Sequence, residues 1–408
     1  MLRRLCAIAI FAILLNSSLT LAAPKKPQQP DKYPPSPLEI TTPDPLLRPS
    51  ANKEPLTEEE QQTLASALDE LNQEAATKLQ AGDKVTAFEI WNRELSLRRY
   101  LGTLPEIQAL SRVGAIAWNQ NDRQQLYYIT QRLQAIQTQI LAPKIIAKQG
   151  VNLESLQTLG EAYQNVRSPE DALEVYNQIL TVARQQKDPA AELANLKIIA
   201  ELHLSWFDYP KAADTYQELF NLASAQGDRI SELTYLRQLA YIYQQGKQLQ
   251  QAINALNQLA GMYTDAENLT KLPELKLAIA NNYESLAREN PNLLQEAFNN
   301  YQQAYTTAWE SQQFVLAAEA LQKLIVLYRS QGQIDAALQT SQILVETQAK
   351  AYNYYGLMQA YDQIGQIYLQ QKDYPQALSA FQQGLQLAQQ LKHEESYFAQ
   401  QIKKASGQ

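Results

Sequence analysis

The stretch YDQIGQIYLQQKDYPQALSAFQQGLQLAQQL, residues 361–391, contains two helical patterns joined by one turn. Its first half places aromatic, apolar and small residues three and four positions apart, at Tyr361, Ile364, Gly365 and Tyr368. The second half repeats this spacing at Ala377, Phe381, Gly384 and Leu385. Pro375 lies between the two halves, and a proline ends one helix and suits the first turn of the next. The stretch therefore predicts a helical hairpin in which glycine and alanine let the two helices approach closely.

The same pattern recurs along the chain at intervals of about 40 residues. Using residues 361–391 as a template, we find eight copies, which start near residues 68, 107, 153, 193, 233, 273, 318 and 358. The sixth copy contains an insertion at Glu289–Leu294. Pro143 and Gly150 interrupt the pattern between the second and third copies, which predicts a kink or a seam between sub-domains there. Eight copies in one register predict an all-α array of helical hairpins.

The order of these residues, an aromatic or apolar residue before Gly-x2-Tyr and then Ala-x3-Phe, resembles the tetratricopeptide repeat (TPR). This resemblance implies a right-handed TPR-like α-solenoid of about eight repeats. The family's usual repeat has about 34 residues, so the longer period here implies longer helices. The glutamine-rich, signal-bearing sequence is also similar to exported TPR proteins of photosynthetic bacteria.

The N-terminus reads as a secretory signal at residues 1–22, with Arg3 and Arg4 before eleven apolar residues and small residues near Ala22. An uncleaved membrane anchor formed by residues 5–22 is the alternative, although its apolar run is shorter than the ~20 residues of a spanning helix. This signal predicts export, to the periplasm or the thylakoid lumen. Inner-membrane anchoring is the alternative location.

The remainder divides into four parts. Residues 23–57 are rich in proline and predict an extended, disordered tether. We expect the array to begin near Glu58, where Thr57 can cap the helix. Residues 58–142 then hold the divergent N-terminal repeats, residues 143–391 the main array, and residues 392–408 a capping helix and tail.

Composition excludes several classes of function. The net charge is −7 and no basic stripe is visible, which argues against a nucleic-acid partner and against direct binding to anionic membranes. The single cysteine, Cys6, lies in the signal, so we expect no disulfide and no cysteine metal site.

His203 takes a slot where other copies carry tyrosine and is predicted to be a packed ring. We find no catalytic motif, and the carboxylates are expected to be scattered over solvated helix faces. The prediction is a non-enzymatic protein without cofactor or metal.

In TPR proteins, positions 2, 5, 9 and 12 of each first helix line the concave side and meet the ligand. The resemblance implies that the matching positions here bind a protein or peptide: Lys197, Glu201, Arg237, Tyr241, Gln244, Glu274, Asn281, Glu284, Gln322, Val326 and Arg329. The carboxylate clamp of TPR co-chaperones pairs lysine at position 5 with asparagine at position 9. Lys197 is followed by Glu201 instead, so binding of chaperone tails is not implied.

These observations favour an exported protein–protein interaction scaffold, which by analogy would serve in the assembly of membrane or envelope complexes. One alternative is an accessory or enzyme of cell-wall glycan chemistry. That alternative needs exposed aromatics, and its candidates Tyr352, Tyr354 and Tyr355 are expected to pack between the seventh and eighth repeats. A second alternative is a structural protein that associates with itself through an exposed end of the array.

Overall fold

We describe a computed structural model of the chain over residues 33–39, 43–51 and 54–407. The described residues form eighteen α-helices and no strand. The chain splits into two compact units, Met1–Lys148 (unit 1) and Gln149–Gln408 (unit 2). This boundary falls within the interval between Pro143 and Gly150 in which the sequence places a seam. The predicted signal at residues 1–22 lies outside the described residues. Of the helices described, none is long and apolar enough to cross a membrane.

Unit 1 contains two helical hairpins and a short helix that leads to the boundary. Its helices are α1 (Glu58–Gln80), α2 (Lys84–Arg98), α3 (Thr103–Asn119), α4 (Arg123–Ile140) and α5 (Pro143–Gln149). The array begins where the sequence predicts, since Thr57 caps α1. The Thr57 side chain accepts a hydrogen bond from the Glu60 amide, and the Glu60 carboxylate accepts one from the Thr57 amide at 2.7 Å. This reciprocal pair fixes the start of the helix.

Unit 2 contains six hairpins and a terminal helix. Its helices are α6 (Leu153–Asn165), α7 (Pro169–Gln186), α8 (Pro189–Ser205), α9 (Tyr209–Gln226), α10 (Arg229–Gln245), α11 (Leu249–Asp265), α12 (Leu272–Leu286), α13 (Leu294–Glu310), α14 (Phe314–Ser330), α15 (Ile334–Lys350), α16 (Tyr354–Gln370), α17 (Tyr374–Leu391) and α18 (Glu395–Ala405). From α6 to α18, each helix packs against the next one along the chain. The eight hairpins of the two units match the eight predicted copies, and the insertion in the sixth is a short turn of 3-10 helix between α12 and α13.

Small residues make room for rings within the hairpins. A Cβ atom at Gly365 on α16 would stand 2.5 Å from the Phe381 ring on α17, and one at Gly160 would stand 2.7 Å from the Tyr176 ring. Phe381 is fully buried as a result. The tyrosines that share the slot of Tyr163 are buried or half-buried in the same way. They pack between helices, as the pattern predicts.

Helix α18 closes the end of unit 2. Phe398 is 1 % exposed and packs in one cluster with Phe381, Met358, Ala377 and neighbouring apolar side chains of α16 and α17. The C-terminal capping helix predicted for residues 392–408 is therefore present as α18.

Residues 33–39 and 43–51, which we call the N-terminal strap, correct the prediction of a disordered tether. Leu38 is 1 % exposed, and the strap lies against helices α2 and α4 of unit 1. Proline excludes a regular α-helix from this segment. A short turn of 3-10 helix, Pro37–Glu39, nevertheless buries Leu38, and the strap forms ion pairs with α2 and α4. Within the predicted tether of residues 23–57, residues 23–32, 40–42 and 52–53 lie outside the described residues.

Two buried carboxylates in unit 1 correct the prediction that acidic residues are scattered over solvated faces. Glu94 is fully buried, with Arg98 Nε 3.0 Å and Arg112 Nη2 2.7 Å from its Oε1 atom. Glu106 is 4 % exposed and lies 2.6 Å from Arg132 Nε. Buried charges require such partners, since an unpaired carboxylate inside a protein is strongly disfavoured. The two pairs connect α2 to α3 and α3 to α4.

Candidate functional site

Four of the predicted ligand-binding residues line one cavity in unit 2. Arg237, Tyr241 and Gln244 come from α10, and Glu274 comes from the first turn of α12. They meet because the first helices of the fifth and sixth hairpins both flank α11. The cavity has a volume of about 440 Å³.

The cavity combines an apolar floor with a polar, accessible entrance. Its deeper lining is provided by side chains that are at most 8 % exposed: Leu256, Leu259 and Tyr263 of α11. Half-buried Leu275 and Ala278 of α12 complete that lining. Arg237, Glu274 and half-exposed Tyr241 face solvent. This arrangement suits a ligand that inserts an apolar group and keeps polar groups outside.

The guanidinium group of Arg237 is held in place at the cavity. Its Nη2 atom donates a hydrogen bond to the Tyr263 hydroxyl at 2.7 Å. A guanidinium has five N–H donors in a fixed planar arrangement, so this bond leaves others for an acceptor on a ligand. Lys271, which also lines the cavity, adds a second positive charge, while Glu274 adds a negative one. The site can therefore bind a carbonyl or carboxylate oxygen beside an apolar side chain.

Two other predicted residues, Asn281 and Glu284, lie beside the hydroxyl group of Tyr301. The Tyr301 hydroxyl lies 2.7 Å from Asn281 Oδ1 and 2.6 Å from Glu284 Oε2. Because Tyr301 is fully buried, these two residues satisfy its hydroxyl group inside the hairpin. Burial and the nearby Glu284 carboxylate raise the pKa of Tyr301. The structure thus gives Asn281 and Glu284 a packing role.

The remaining predicted residues lie away from the cavity. Lys197 and Glu201 are exposed on α8, and Gln322 is half-buried on α14. Val326 and Arg329 line a shallow depression of about 320 Å³ with Ser330, Ile334 and Gln370. Four of the eleven predicted residues therefore line the α10–α12 cavity, and the other seven lie elsewhere on unit 2.

Part of the cavity comes from residues that the repeat pattern does not mark as ligand contacts. Lys271 belongs to a turn of 3-10 helix before α12, a segment that the repeat template does not contain. Leu256, Leu259 and Tyr263 are on a second helix of a hairpin, whereas the resemblance implies ligand contacts only from first helices. An apolar residue on a second helix has the same sequence signature whether it lies under a cavity or under another helix.

The prediction of burial is confirmed for His203 and wrong for the three tyrosines of the glycan hypothesis. His203 is 8 % exposed, and its burial lowers its pKa although Asp208 Oδ2 lies 3.8 Å away. It is the packed ring that was predicted. Tyr352, Tyr354 and Tyr355 are 79 %, 52 % and 43 % exposed, so the expectation that they pack between repeats is wrong. They sit at the turn into α16, where the first of them has a positive φ of 53° and points away from the hairpin interface.

Metal ligands are not gathered anywhere in the described parts of the chain. Over residues 33–39, 43–51 and 54–407, no group of three or more His, Cys, Asp and Glu side chains could hold a metal ion.

Comparison with known proteins supports the helical-repeat class. The tetratricopeptide repeat family model matches residues 358–391, which span most of α16 and all of α17. The eighth hairpin is thus a tetratricopeptide repeat, and the array as a whole has the TPR-like all-α fold. The chain matches none of the curated proteins with which its sequence was compared.

Several solved structures are similar to the chain. BtubC from P. vanneervenii is 17 % identical, with 55 % of this chain and 92 % of that chain covered and a TM-score of 0.37. The apo form of RapI is 16 % identical over 73 % of this chain and 80 % of that chain, with a TM-score of 0.41. The apo quorum sensor NprR from B. thuringiensis is 15 % identical over 74 % and 80 %, with a TM-score of 0.34. With TM-scores below 0.5, these similarities carry no argument about this chain.

Proposed function

We propose that unit 2 is a non-catalytic scaffold that binds an extended segment of another protein, with the α10–α12 cavity receiving one apolar side chain of that segment. The observation that carries this proposal is the cavity with buried leucines below and Arg237 and Tyr241 at its entrance. Pockets that hold small ligands have volumes of about 300–1,000 Å³, so about 440 Å³ accommodates one large side chain with room to spare.

In this proposal, the apolar floor and the polar entrance of the cavity contribute differently to binding. The apolar floor removes the inserted side chain from water, which is the main source of affinity. Arg237, held by Tyr263, then donates to a main-chain carbonyl or a carboxylate of the segment. Since a few central anchors dominate binding energy in most interfaces, substitutions at Arg237 and Tyr241 should have large effects.

A displayed random-peptide library, selected on purified full-length protein, tests this proposal. The selected peptides should contain a large apolar residue, and their affinity should fall at least tenfold for Arg237→Glu and for Tyr241→Ala. Lys197→Glu is the matched control because Lys197 occupies the same repeat position one hairpin earlier and is likewise exposed. The proposal is wrong if no peptide is enriched, or if Arg237→Glu and Lys197→Glu have equal effects.

Wall glycan remains a second candidate ligand because Tyr352, Tyr354 and Tyr355 are exposed. The Tyr355 ring lies 5.6 Å from the His393 ring, and His393 Nε2 lies 3.4 Å from a Glu394 carboxylate oxygen. Aromatic faces beside polar groups suit sugar rings. Retention on purified cell-wall fragments that is abolished by Tyr352→Ala with Tyr354→Ala would support this candidate, whereas no retention of the unaltered protein would remove it.

We also infer that the protein is exported, from the charged start and apolar run within residues 1–22. In that setting the scaffold would serve in assembling membrane or envelope complexes. Fractionation followed by N-terminal sequencing tests this inference, and the expected mature chain begins at Ala23. Recovery of the uncleaved chain with the membrane would instead support the anchor formed by residues 5–22.

A further inference from the structure

The N-terminal strap is held by contacts typical of a bound peptide. Leu38 is the anchor, since its side chain is 1 % exposed. On either side, the strap offers main-chain carbonyls to side chains of unit 1. Tyr128 donates its hydroxyl to the Pro34 carbonyl at 3.0 Å, and Arg99 donates to the Leu38 carbonyl. Tyr128 belongs to α4, and Arg99 begins the 3-10 turn that follows α2.

Two carboxylates of the strap meet arginines on the same face. Arg93 donates two hydrogen bonds to the Asp44 carboxylate, from Nε at 2.7 Å and from Nη2 at 3.0 Å. This bidentate geometry is the strong form of a guanidinium–carboxylate contact, and it holds the pKa of Asp44 below its ordinary value. Glu39 lies 3.8 Å from Arg99 and 3.6 Å from Arg132. The face of α2 and α4 is therefore matched in charge to an acidic segment.

An open groove lies between the strap and α2. A cavity of about 480 Å³ is lined by Pro37, Asp44 and Leu47 of the strap and by Asn92 and Arg93 of α2. Leu47 and Ala51 of the strap pack against an apolar cluster that includes Leu64 and Leu97. Residues 33–39 and Asp44 are held differently, by buried Leu38, by the contacts of the Tyr33 ring with Tyr127 and Tyr128, and by polar bonds. This part of the strap therefore has the contacts of a seated peptide.

We propose that the arginine-lined face of α2 and α4 is a docking surface for extended, proline-containing acidic peptides with a leucine anchor, and that the strap occupies it in cis. The partner is defined by the chemistry already seated there: a buried leucine, a carboxylate next to it and a second carboxylate that reaches Arg93. This surface belongs to unit 1 and does not depend on the α10–α12 cavity.

Cis occupancy has a measurable consequence. A tethered ligand competes at an effective concentration that reaches the millimolar range for short flexible connections. A peptide added in trans must displace it, so the unaltered protein binds such a peptide far more weakly than a protein whose strap has been released. The strap thus sets a threshold for any partner that uses this face.

Fluorescence anisotropy with a labelled synthetic peptide of residues 33–48 tests the proposal on the full-length protein. The release variant carries Leu38→Asp with Asp44→Lys, which removes the anchor and reverses the charge opposite Arg93. We expect this variant to bind the peptide at least tenfold more tightly than the unaltered protein. A peptide with Leu38→Asp should bind neither protein.

A charge exchange identifies the surface. Adding Arg93→Asp to a Leu38→Asp variant that keeps Asp44 should abolish binding of the natural peptide and restore binding of a peptide that carries Asp44→Arg, because Asp44 of the strap then repels the new carboxylate at position 93. In case Leu38→Asp unfolds unit 1, Asp44→Lys alone serves as a second release variant and must also increase peptide binding. The proposal is overturned if a release variant with intact helical content fails to bind the natural peptide, or if the exchanged peptide is not rescued.

Discussion

Two glycines of the array, Gly365 and Gly261, differ in the space that is available for a Cβ atom. Their replacement by alanine is therefore expected to change stability in opposite directions. At Gly365 an added Cβ would stand 2.5 Å from the buried Phe381 ring. At Gly261, within α11, an added Cβ meets nothing within 4 Å. Gly365→Ala should therefore lower the stability of unit 2 by about 1–3 kcal/mol, the usual cost of overpacking. Gly261→Ala should raise it by roughly 0.5–1 kcal/mol, because glycine is a poor helix former.

Urea unfolding followed by circular dichroism distinguishes these two substitutions. Each replaces glycine by alanine inside a helix, so the difference between them isolates the contact with the ring. If the two variants unfold at the same urea concentration, the close approach of α16 and α17 at Gly365 is not a constraint on stability.

Glu94 is the second residue with a defined energetic role. Replacing it by alanine leaves Arg112 without a carboxylate partner and Arg98 with Asp69 alone, and breaking a buried ion pair in this way costs about 3–5 kcal/mol. Because Arg112 is 34 % exposed, water compensates in part, and we expect the lower end of that range for Glu94→Ala. Glu89→Ala, an exposed position on the same helix, is the control and should change stability little. Equal unfolding midpoints for the two variants would show that the arginines do not need Glu94.

The sequence could not reveal these pairs, although it revealed the hairpins. A glutamate on a helix has the same local pattern whether it faces water or an arginine on another helix. Arg112 is 18 positions from Glu94 and Arg132 is 26 positions from Glu106. Such partners become visible only when the relative rotation of the helices is known.

At the scale of elements, helix α18 is joined to α16 by a half-buried carboxylate, that of Asp362. Tyr397 donates its hydroxyl to Asp362 Oδ1 at 3.0 Å, and Gln366 Nε2 lies 3.3 Å from the same oxygen. Burial raises the pKa of Asp362 above its ordinary value of 3.8, and the nearby Glu394 acts in the same direction. The folded state thus holds this proton more tightly than the unfolded state does.

The sign of the pH effect follows from that difference. Stability contributed by Asp362 is greatest when the carboxyl is protonated, declines as the pH rises from about 3.8 through the raised pKa, and stays low at neutral pH. Asp362→Asn keeps an acceptor for Tyr397 without the charge. We expect its melting temperature to equal or exceed that of the unaltered protein at pH 7, with the gain shrinking below pH 4. A lower melting temperature at pH 7 would mean that the hydrogen bond to the charged oxygen outweighs burial.

The strap shows where element-level prediction fails. Its prolines rule out a regular helix, and that much is readable from composition. Whether an extended segment is free or seated depends on distant partners, and here Asp44, Leu38 and Pro34 meet side chains 49, 61 and 94 positions away. By contrast, the helices and their turns rest on spacings within 40 residues, so the template places them correctly.

At the scale of the whole molecule, the sequence predicts the entrance of the α10–α12 cavity but not its floor. Its entrance residues Arg237, Tyr241, Gln244 and Glu274 occupy repeat positions that the resemblance marks as ligand contacts. The same positions in other copies, such as Asn281 and Glu284, are used to satisfy a buried tyrosine. A repeat position therefore indicates which face a residue lies on, while the neighbours of each copy decide whether it is free to bind.

The last prediction concerns how stability is distributed along unit 2. Each helix packs on its neighbours in the chain, and in such arrays stability is approximately a sum of nearest-neighbour terms. Phe398→Ala removes the ring that covers the end of the array, and a buried Phe→Ala change costs about 3–5 kcal/mol. The loss should appear in amide hydrogen exchange as weaker protection of α16, α17 and α18, while α6 to α9 keep theirs. Gln400→Ala, at an exposed position of α18, should leave every helix unchanged. Uniform loss of protection across unit 2 in Phe398→Ala would instead mean that the six hairpins unfold as one cooperative block, and that the end helix stabilises all of them equally.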